Sequence, residues 1–415
     1  MNVSIIAIGD ELLIGQVIDT NSGDIAIRLN PMGWRVNDVQ VIADNSDDII
    51  RAIDRAFEIS NVVITTGGLG PTKDDITKAT LCRYFGGELV ENKDVLENVK
   101  RVIERRGLQM NELTARQAFV PTSCEVIQNQ VGTAPIMWFE RDGKVLVAMP
   151  GVPFETREML DSAVLPRLFS RFPVDGHIEH RNVMVTGFSE SLLAMTIAEW
   201  ENALPDYLHL AYLPNAGIVR LRIDGHHPDK ALLMSEINYQ HSQLVKMLGT
   251  EHVLADKDIP LEEILLQLLI DKKFTIATAE SCTGGNIAHL ITSIPGSSEA
   301  FKGSVVAYSN EVKHNLLGVS EASLSEFGAV SQQVVEQMAE GACRALNTDC
   351  AIATSGIAGP DGGSDKKPVG TVWIAVKTPT RLFSFCHRFP GNRQRVIFRA
   401  SMASMIMAVE EIRKG

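Results

Sequence analysis

Residues 274–293 have the sequence FTIATAESCTGGNIAHLITS, in which a short apolar run leads through a glycine-rich turn into a helical pattern. The run 274–279 predicts a buried strand and residues 285–293 predict a helix, with ESCTGG as the turn between them. Strands that alternate with helices are typical of an α/β sheet. Such sheets place ligand chemistry at the carboxyl ends of their strands, so this turn is a candidate site.

The sequence around this stretch continues the alternation to the end of the chain. We predict helices at 261–271, 331–346 and 391–412, and strands at 304–308, 350–354, 370–377 and 382–388. The polar stretch 249–260 precedes the first of these helices and is typical of a domain boundary. Residues 256–415 are therefore predicted to form one α/β domain.

The N-terminal part has the same kind of pattern. Predicted strands at 3–8, 35–42 and 62–65 alternate with helices at 22–30 and 47–60, which indicates a parallel sheet covered on both faces, a three-layer α/β domain. Helical patterns over 75–119, strands near 135–139 and 144–148 and a helix at 153–172 complete this domain, residues 1–172.

Residues 173–255 differ from both flanking parts. A strand at 181–186, a helix at 189–200, a hairpin of strands 209–213 and 218–224 and a helix at 230–248 predict a small α+β module. No cluster of catalytic residue types stands out here. We expect this module to act in spacing or dimerisation.

The composition excludes several classes of protein. The 415 residues carry 39 Lys and Arg against 51 Asp and Glu, a formal net charge of −12, with no basic run of the kind that a nucleic-acid binder needs. Six scattered cysteines form no CxxC pair and indicate reduced thiols. Neither a signal peptide nor a run of roughly 18 apolar residues is present, so we expect a cytoplasmic protein without a membrane span.

Ser281 is the residue of the ESCTGG turn best placed to attack a carbonyl group. The glycines let the backbone approach a ligand, and N–H groups at the start of the following helix favour an anion or oxyanion. The alternative is that Ser281 or Thr283 only caps that helix, which is the commoner use of such residues.

Two further segments add chemistry to this turn. In AYSNEVK, residues 307–313, Tyr308 and Lys313 follow a predicted strand, and a desolvated Lys can serve as the base for a Ser nucleophile. The alternative for Lys313 is an ordinary exposed helix lysine. In TSGIAGPDGG, residues 354–363, a glycine-rich loop can wrap a phosphate with its backbone N–H groups.

Four motifs in this order, AESCTGG, AYSNEVK, SGIAGPDGGSDKKPVGTVW and FPGNRQRVIFRAS, resemble the nicotinamide-nucleotide amidase family, which forms the C-terminal part of CinA proteins. The resemblance implies hydrolysis of nicotinamide mononucleotide to nicotinate mononucleotide and ammonia without a cofactor. It implies Ser281 as nucleophile, Lys313 as base and Tyr308 as a proton-transfer or orienting group; whether Lys313 or Tyr308 accepts the proton stays open. The substrate-binding residues that it implies are Thr283, Gly284, Gly285, Ser355, Gly356, Gly359 and one of Arg393 and Arg399, both kept as candidates for the phosphate.

Cys282 is the rival nucleophile of this turn, because a thiolate is intrinsically more nucleophilic than a hydroxyl. No His stands at a motif position to activate it. The resemblance also favours serine.

The N-terminal part carries a second candidate site, rich in acidic residues and glycine. Gly67 and Gly68 follow a predicted strand and can bind phosphate through their N–H groups. Carboxylates near a phosphate site imply a divalent metal, since like charges would otherwise repel the ligand. The alternative is that Asp74 and Asp75 cap the following helix.

The motifs GDELLIGQVIDTNS, TTGGLGPTKDDIT and MPGVPFE resemble the molybdopterin-binding fold, and GPTKDDIT resembles full-length CinA proteins. This resemblance implies hydrolysis of ADP-ribose to AMP and ribose 5-phosphate with Mg²⁺ or a similar metal. It implies Gly67, Gly68 and Asn21 as substrate-binding residues. The metal candidates are Asp10, Glu11, Asp19, Asp74, Asp75 and Glu155.

Two other functions stay open beside this one. In the first, the N-terminal domain is a pterin-binding module without pyrophosphatase chemistry. In the second, the chain is an interaction protein linked to competence or DNA damage. The middle module resembles the KH-like insert of CinA proteins but lacks the GXXG loop that RNA binding would need. A homodimer is expected from the resemblance alone.

Overall fold

A six-stranded sheet forms the first part of the chain in the computed structural model, which describes residues 1–72, 75–173 and 176–414. The strand order is β2-β1-β3-β8-β7-β6. Its elements are β1 (Asn2–Ile8), α1 (Asp10–Leu13), α2 (Asn21–Leu29), β2 (Arg35–Ile42), α3 (Ser46–Ile59), β3 (Val62–Thr66), α4 (Thr77–Phe85), β4 (Leu89–Glu91), α5 (Lys93–Arg105), α6 (Glu112–Ala115), β5 (Phe119–Pro121), β6 (Glu125–Ile127), β7 (Ile136–Arg141), β8 (Lys144–Met149), α7 (Pro153–Met159) and α8 (Leu165–Arg171).

Both faces of this sheet are covered, as predicted. Along β1, Val3 and Ile5 pack into one apolar cluster with α2 and α8, while Ile6 and Ile8 pack into another with α3. This alternation follows from the two-residue period of a strand. The predicted three-layer α/β class is confirmed.

The three strands predicted to be parallel, β1, β2 and β3, are parallel, but the sheet as a whole is mixed. β1, β2, β3 and β8 are parallel, but β7 and β6 run antiparallel to their neighbours. The cause is the pair Asp142 and Gly143, whose φ angles of 54° and 76° make the two-residue turn that joins β7 to β8.

The prediction of helices throughout 75–119 was wrong in part. Gly86 and Gly87 have φ angles of 82° and 99°, which end α4 and send the chain into the short strand β4. β4 pairs with β5 in a separate two-stranded sheet.

The middle of the chain forms a four-stranded sheet of order β10-β11-β9-β12. Its elements are β9 (His177–Thr186), α9 (Glu190–Asn202), β10 (Leu208–Asn215), β11 (Ile218–His227), α10 (Lys230–Leu248) and β12 (Val253–Ala255). β12 lies inside the stretch predicted as a boundary and pairs with β9. That stretch is therefore part of a sheet rather than a plain linker.

The C-terminal part contains a five-stranded sheet of order β14-β13-β15-β16-β17, also with helices on both faces. Its elements are α11 (Leu261–Lys272), β13 (Ile276–Glu280), α12 (Asn286–Thr292), β14 (Phe301–Val306), α13 (Asn310–Leu317), α14 (Glu321–Glu326), α15 (Gln332–Leu346), β15 (Cys350–Gly356), β16 (Thr371–Lys377), β17 (Leu382–Arg388) and α16 (Arg393–Lys414). β13, β14 and β15 are parallel, whereas β16 and β17 are antiparallel.

The chain forms two compact units, Met1–Glu179 with His226–Leu233 and His180–Gly225 with Met234–Gly415. Within the second unit, Met184, Ile218 and Leu254 of the middle part belong to the same apolar core as α11 and α16. The division into domains 1–172, 173–255 and 256–415 stays a prediction. Among the described residues, none of the helices combines the length and apolar character needed to cross a membrane.

Candidate functional site

The C-terminal site lies where three parallel strands end side by side. β13 lies between β14 and β15 in the sheet, and the chain leaves β13 toward one neighbour before it returns to the other. This arrangement is a topological switch point, where open α/β sheets leave a crevice for ligands. Ser281 follows β13, Tyr308 follows β14 after one residue, and Ser355 lies near the end of β15.

Ser281 and Lys313 meet in this crevice. Lys313 Nζ donates a hydrogen bond to Ser281 Oγ over 3.1 Å, and the lysine is only 1% exposed. Lys313 is on α13, whose first turn is capped by the Ser309 side chain. The alternative of an exposed helix lysine is therefore wrong, because the side chain points into the protein.

The burial of Lys313 makes its neutral form more accessible than that of an exposed lysine. Burial lowers the pKa of Lys313, and the nearby Cys282 opposes that shift only in part. Nζ also donates to the carbonyl oxygens of Ala307, over 2.8 Å, and Tyr308, over 3.4 Å. When the amine is neutral it has two hydrogens, which these two carbonyls can accept. Its lone pair can then accept a hydrogen bond from the Ser281 hydroxyl, the reverse of the bond that the charged amine donates.

Tyr308 faces a different partner. Arg393 Nη2 donates to its hydroxyl oxygen over 3.0 Å, while Arg393 Nη1 donates to the carbonyl oxygen of Gly359 over 2.8 Å. Tyr308 is 64% exposed. The guanidinium thus joins the loop after β14 to the glycine-rich loop after β15. The Ser355 hydroxyl donates to the carbonyl oxygen of Ala329 over 2.7 Å.

The side chains of Ser281, Lys313, Tyr308, Ser355 and Arg393 line a cavity of about 210 Å³. Six of the predicted catalytic and substrate-binding residues line it: Ser281, Lys313, Tyr308, Ser355, Gly356 and Arg393. Five others do not: Thr283, Gly284, Gly285, Gly359 and Arg399. Arg399 donates instead to the carbonyl oxygen of Pro390 over 3.1 Å.

The lining also includes residues that the sequence analysis did not single out: Asn310, Ala329, Val330 and Ala358. Asn310 stands inside the AYSNEVK motif, so its motif position was a usable signal. Ala329 and Val330 lie in a loop before α15 and have no pattern that would mark them. Only the fold brings that loop to the site.

The start of α12 is occupied by a protein side chain. The Glu280 carboxylate accepts hydrogen bonds from the N–H groups of Gly285, Ile287 and Ala288, at 3.0, 3.0 and 2.8 Å. The expectation that these N–H groups await an anionic ligand was therefore wrong. The capping alternative for Ser281 and Thr283 was wrong as well, since Thr283 Oγ1 bonds to Thr354 Oγ1 over 2.7 Å.

Cys282 is a poor rival nucleophile in this setting. The thiol is 6% exposed, and burial raises its pKa to about 12, with the negative charge of Glu280 adding to the effect. A thiol needs to ionise in order to attack, so little of Cys282 is reactive near neutral pH.

The N-terminal site follows β1 and β3 of the six-stranded sheet. Gly67 has a φ angle of 102°, and a Cβ atom at this position would lie 2.1 Å from the carbonyl oxygen of Ile8. Only glycine lets the loop after β3 pass the end of β1 so closely. Beside it lies a cavity of about 500 Å³.

Most of the predicted N-terminal residues line this cavity: Glu11, Asp19, Asn21, Gly67, Gly68, Asp75 and Glu155. Asp10 is outside the lining and exchanges hydrogen bonds with Asp44 through their backbone N–H groups and carboxylates. Asp74 lies outside the described residues. The Asn21 amide donates to the carbonyl oxygen of Gly151 over 2.8 Å, and its buried Oδ1 atom has no hydrogen-bond partner among the described residues.

Two of the predicted metal ligands accept hydrogen bonds from other groups of the protein. Asp75 accepts hydrogen bonds from the backbone N–H groups of Gly70 and Thr72 and from the Thr72 hydroxyl, at 2.6, 2.8 and 2.5 Å. Glu155 accepts from the Asn129 amide over 2.9 Å. Asp75 therefore closes its own loop and does not cap α4, which was the alternative for this residue.

Asp44 lines the cavity and was missed by the sequence analysis. Burial raises the pKa of Asp44, the hydrogen bond from Asp10 N–H lowers it, and the negative charges of Asp10, Glu11 and Asp75 raise it again. Its position two residues after the end of β2 was a signal that the sequence analysis did not use.

The described residues do not by themselves form a metal site. In the ranges 1–72, 75–173 and 176–414, no three side chains of His, Cys, Asp or Glu are arranged to hold a metal ion. The carboxylates around Asp44 are oxygen ligands of the type that Mg²⁺ prefers. However, Asp75 and Glu155 already accept hydrogen bonds from other groups of the protein.

Comparisons with known proteins agree with this two-part organisation. Residues 258–412 match the family described as "CinA C-terminal domain", and residues 4–170 match "Probable molybdopterin binding domain". The CinA-like protein of Flavobacterium psychrophilum is 43% identical over 416 residues, which cover 100% of this chain and 99% of that protein. The CinA-like protein of Cytophaga hutchinsonii is 42% identical over 410 residues, with coverage of 99% and 98%.

One solved structure shares part of this similarity. The Competence-Damaged Protein (CinA) superfamily protein of Klebsiella pneumoniae 700603 is 33% identical; the match covers 38% of this chain and 100% of that chain, with a TM-score of 0.36. Because the two full-length relatives exceed 40% identity over almost their whole length, the assignment rests on them. The chain belongs to the CinA family and combines a molybdopterin-binding-like domain with a CinA C-terminal domain.

Proposed function

We propose that the C-terminal part hydrolyses the carboxamide of nicotinamide mononucleotide, with nicotinate mononucleotide and ammonia as products. The observation that carries this proposal is the 3.1 Å hydrogen bond between a buried lysine amine and the Ser281 hydroxyl. A serine hydroxyl is a weak nucleophile until a base accepts its proton, and a desolvated lysine can be that base at neutral pH. The substrate itself is inferred from the family resemblance.

The proposed reaction runs through an acyl-enzyme. Ser281 Oγ attacks the carboxamide carbon while its proton moves to Lys313 Nζ, and a tetrahedral intermediate forms. The C–N bond then breaks, and Lys313 returns the proton to the leaving ammonia. Water hydrolyses the ester with Lys313 again accepting a proton, which restores the Ser281 hydroxyl.

Other groups of the cavity support the charges that this reaction creates. The N–H of Cys282 follows the nucleophile, the position from which a backbone donor stabilises a developing oxyanion. We assign the nucleotide phosphate to Arg393, because it is the one of the two candidate arginines that lines the cavity. Lys313 is preferred over Tyr308 as base, since the tyrosine hydroxyl bonds to Arg393 and not to Ser281.

The test is product analysis with the full chain. Wild type should convert nicotinamide mononucleotide into equal amounts of ammonia and nicotinate mononucleotide, and Ser281→Ala should lose this activity by at least about a thousandfold. Release of no ammonia by a folded wild-type protein would overturn the substrate assignment. Full activity of Ser281→Ala would overturn the nucleophile.

For the N-terminal part we infer hydrolysis of ADP-ribose to AMP and ribose 5-phosphate with a divalent metal, on the family resemblance. The observation that favours a nucleotide ligand is the cavity beside Gly67 and Gly68, which Asn21 also lines. Wild type should release AMP in Mg²⁺ and stop after chelation, with Ser281→Ala unaffected. Binding of molybdopterin without AMP release would favour the pterin-binding module instead.

A further inference from the structure

The Glu280 side chain is a buried carboxylate in the strand that leads to the nucleophile. It is fully buried at the end of β13, directly before Ser281. Its two oxygens accept the N–H groups of Gly285, Ile287 and Ala288, which open α12. The first N–H groups of a helix have no partner inside it. One side chain therefore joins the two ends of the turn that contains Ser281.

This connection determines where the turn lies. Gly284 and Gly285 have φ angles of 63° and 95°, so the turn doubles back on itself between Glu280 and α12. Inside it, Gly284 N–H donates to the carbonyl oxygen of Ser281 over 3.2 Å. Lys313 comes from a different element, α13, so its distance to Ser281 depends on how firmly the turn is held.

The negative charge of Glu280 is balanced by these N–H groups. No Lys, Arg or His in the described parts of the chain forms an ion pair with it, and its remaining contact is a hydrogen bond of 3.2 Å from the Thr278 hydroxyl. A carboxylate at this end of a helix is also favoured by the helix dipole. Glu280 thus acts on the backbone of the turn and not as a counter-ion of Lys313.

We propose that Glu280 is a positioning residue of the amidase site, a role that rests on the proposed function. Its carboxylate holds the turn closed so that Ser281 Oγ stays within reach of Lys313 Nζ. A residue that only stabilised the fold would change the unfolding of the protein. A positioning residue also changes the reactivity of Ser281 in protein that is folded.

The experiment compares Glu280→Gln and Glu280→Ala with wild type in the full chain. Gln keeps one acceptor oxygen and Ala keeps none, so activity should fall in that order. For Ala, kcat should drop about tenfold to a hundredfold because a small displacement of the nucleophile is enough for such a loss. KM should stay unchanged, since Glu280 does not line the cavity.

A matched control is Glu411→Gln in α16. Glu411 is also a buried carboxylate, 2% exposed, and it pairs with Arg381 and Lys414 far from the reacting groups in sequence. This control should lose stability and keep kcat. Equal kcat losses in Glu280→Gln and Glu411→Gln, or kcat within twofold of wild type in Glu280→Ala, would overturn the positioning role.

A second readout separates this proposal from the choice of substrate. A fluorophosphonate that modifies Ser281 covalently reports nucleophile reactivity without any amide substrate. Wild type should be labelled, and Glu280→Ala should be labelled about tenfold or more slowly while folded. Slow labelling of Glu280→Ala together with no amidase activity in wild type would support the positioning role and reject the substrate. Equal labelling of both proteins would reject the positioning role.

Discussion

The amine of Lys313 lies 3.1 Å from the hydroxyl oxygen of Ser281, although the two residues come from different strand–helix connections. The parallel arrangement of β13 and β14 brings those connections to one edge of the sheet. Burial lowers the pKa of Lys313, which makes the neutral amine that a base needs more accessible than in an exposed lysine. This pair is the chemical basis of the proposed amidase.

The pH dependence of the amidase should report Lys313. Burial lowers the pKa of Lys313 from the usual 10.5, so this lysine loses its proton at a lower pH than an ordinary lysine does. We expect kcat/KM for nicotinamide mononucleotide to rise with pH through a single ionisation whose pKa is below 10.5. The measurement is a pH–rate profile of ammonia release.

The matched variants for this profile are Lys313→Met and Lys313→Arg. Both should reduce kcat by at least about a hundredfold, Met because it has no base and Arg because it stays protonated. An unchanged rate for Lys313→Arg would contradict the assignment of Lys313 as base.

Cys282 should be dispensable. Burial raises its pKa to about 12, so almost none of it is thiolate at pH 8. Cys282→Ala should keep kcat within about threefold of wild type, with a loss of stability from the small cavity of roughly 1–2 kcal/mol. The check is a kinetic assay together with denaturant unfolding. Loss of activity in Cys282→Ala with an intact fold would make the thiol a reacting group.

Arg393 and Arg399 should differ in their effect on substrate binding. Arg393→Lys should raise KM for nicotinamide mononucleotide about tenfold, the effect of losing one charge-assisted hydrogen bond. Arg399→Lys should leave KM unchanged, because this guanidinium bonds to Pro390 and lies outside the cavity. Nicotinamide riboside, which lacks the phosphate, is the control substrate: with it the two variants should behave alike. A KM increase confined to Arg399→Lys would reverse the assignment.

The sequence did not predict the strand order of the six-stranded or of the five-stranded sheet, but it did predict which residues lie at the ends of their strands. Ser281, Tyr308 and Ser355 could be assigned because each follows an apolar run and sits in a motif with reactive or flexible residues. The positioning role of Glu280 could not be predicted. The N–H groups that its carboxylate accepts lie five to eight residues later in the chain, and they reach it only because two glycines with positive φ turn the backbone back.

Other parts were missed for different physical reasons. The antiparallel edge of the first sheet depends on the two-residue turn at Asp142 and Gly143, an Asp-Gly pair that is itself a hairpin signal in a sequence. Ala329 and Val330 reach the cavity only because a loop between α14 and α15 passes the end of β15, which no local pattern encodes. Local patterns thus predict elements and motif residues, and long-range packing decides the remaining walls of the site.

Asp44 should make the protein less stable when it is ionised. Its folded-state pKa is raised above 3.8, so the folded state holds the proton over a pH range in which the unfolded chain has lost it. Stability therefore falls as pH rises through that range. Asp44→Asn should be more stable than wild type at pH 7, and the difference should shrink toward a pH of 3.8. Denaturant unfolding of both proteins at the two pH values measures this difference in stability. A difference that is the same at both pH values would contradict the raised pKa of Asp44 as its cause.

The proposed mechanism requires a covalent bond between the substrate and Ser281. Full-length protein is mixed with nicotinamide mononucleotide, quenched in acid during turnover and analysed by peptide mass spectrometry. The expected result is a nicotinate mononucleotide acyl group on the peptide that contains Ser281, and no such adduct in Ser281→Ala. Continued release of ammonia by Ser281→Ala at the wild-type rate, with no adduct on either protein, would contradict the account.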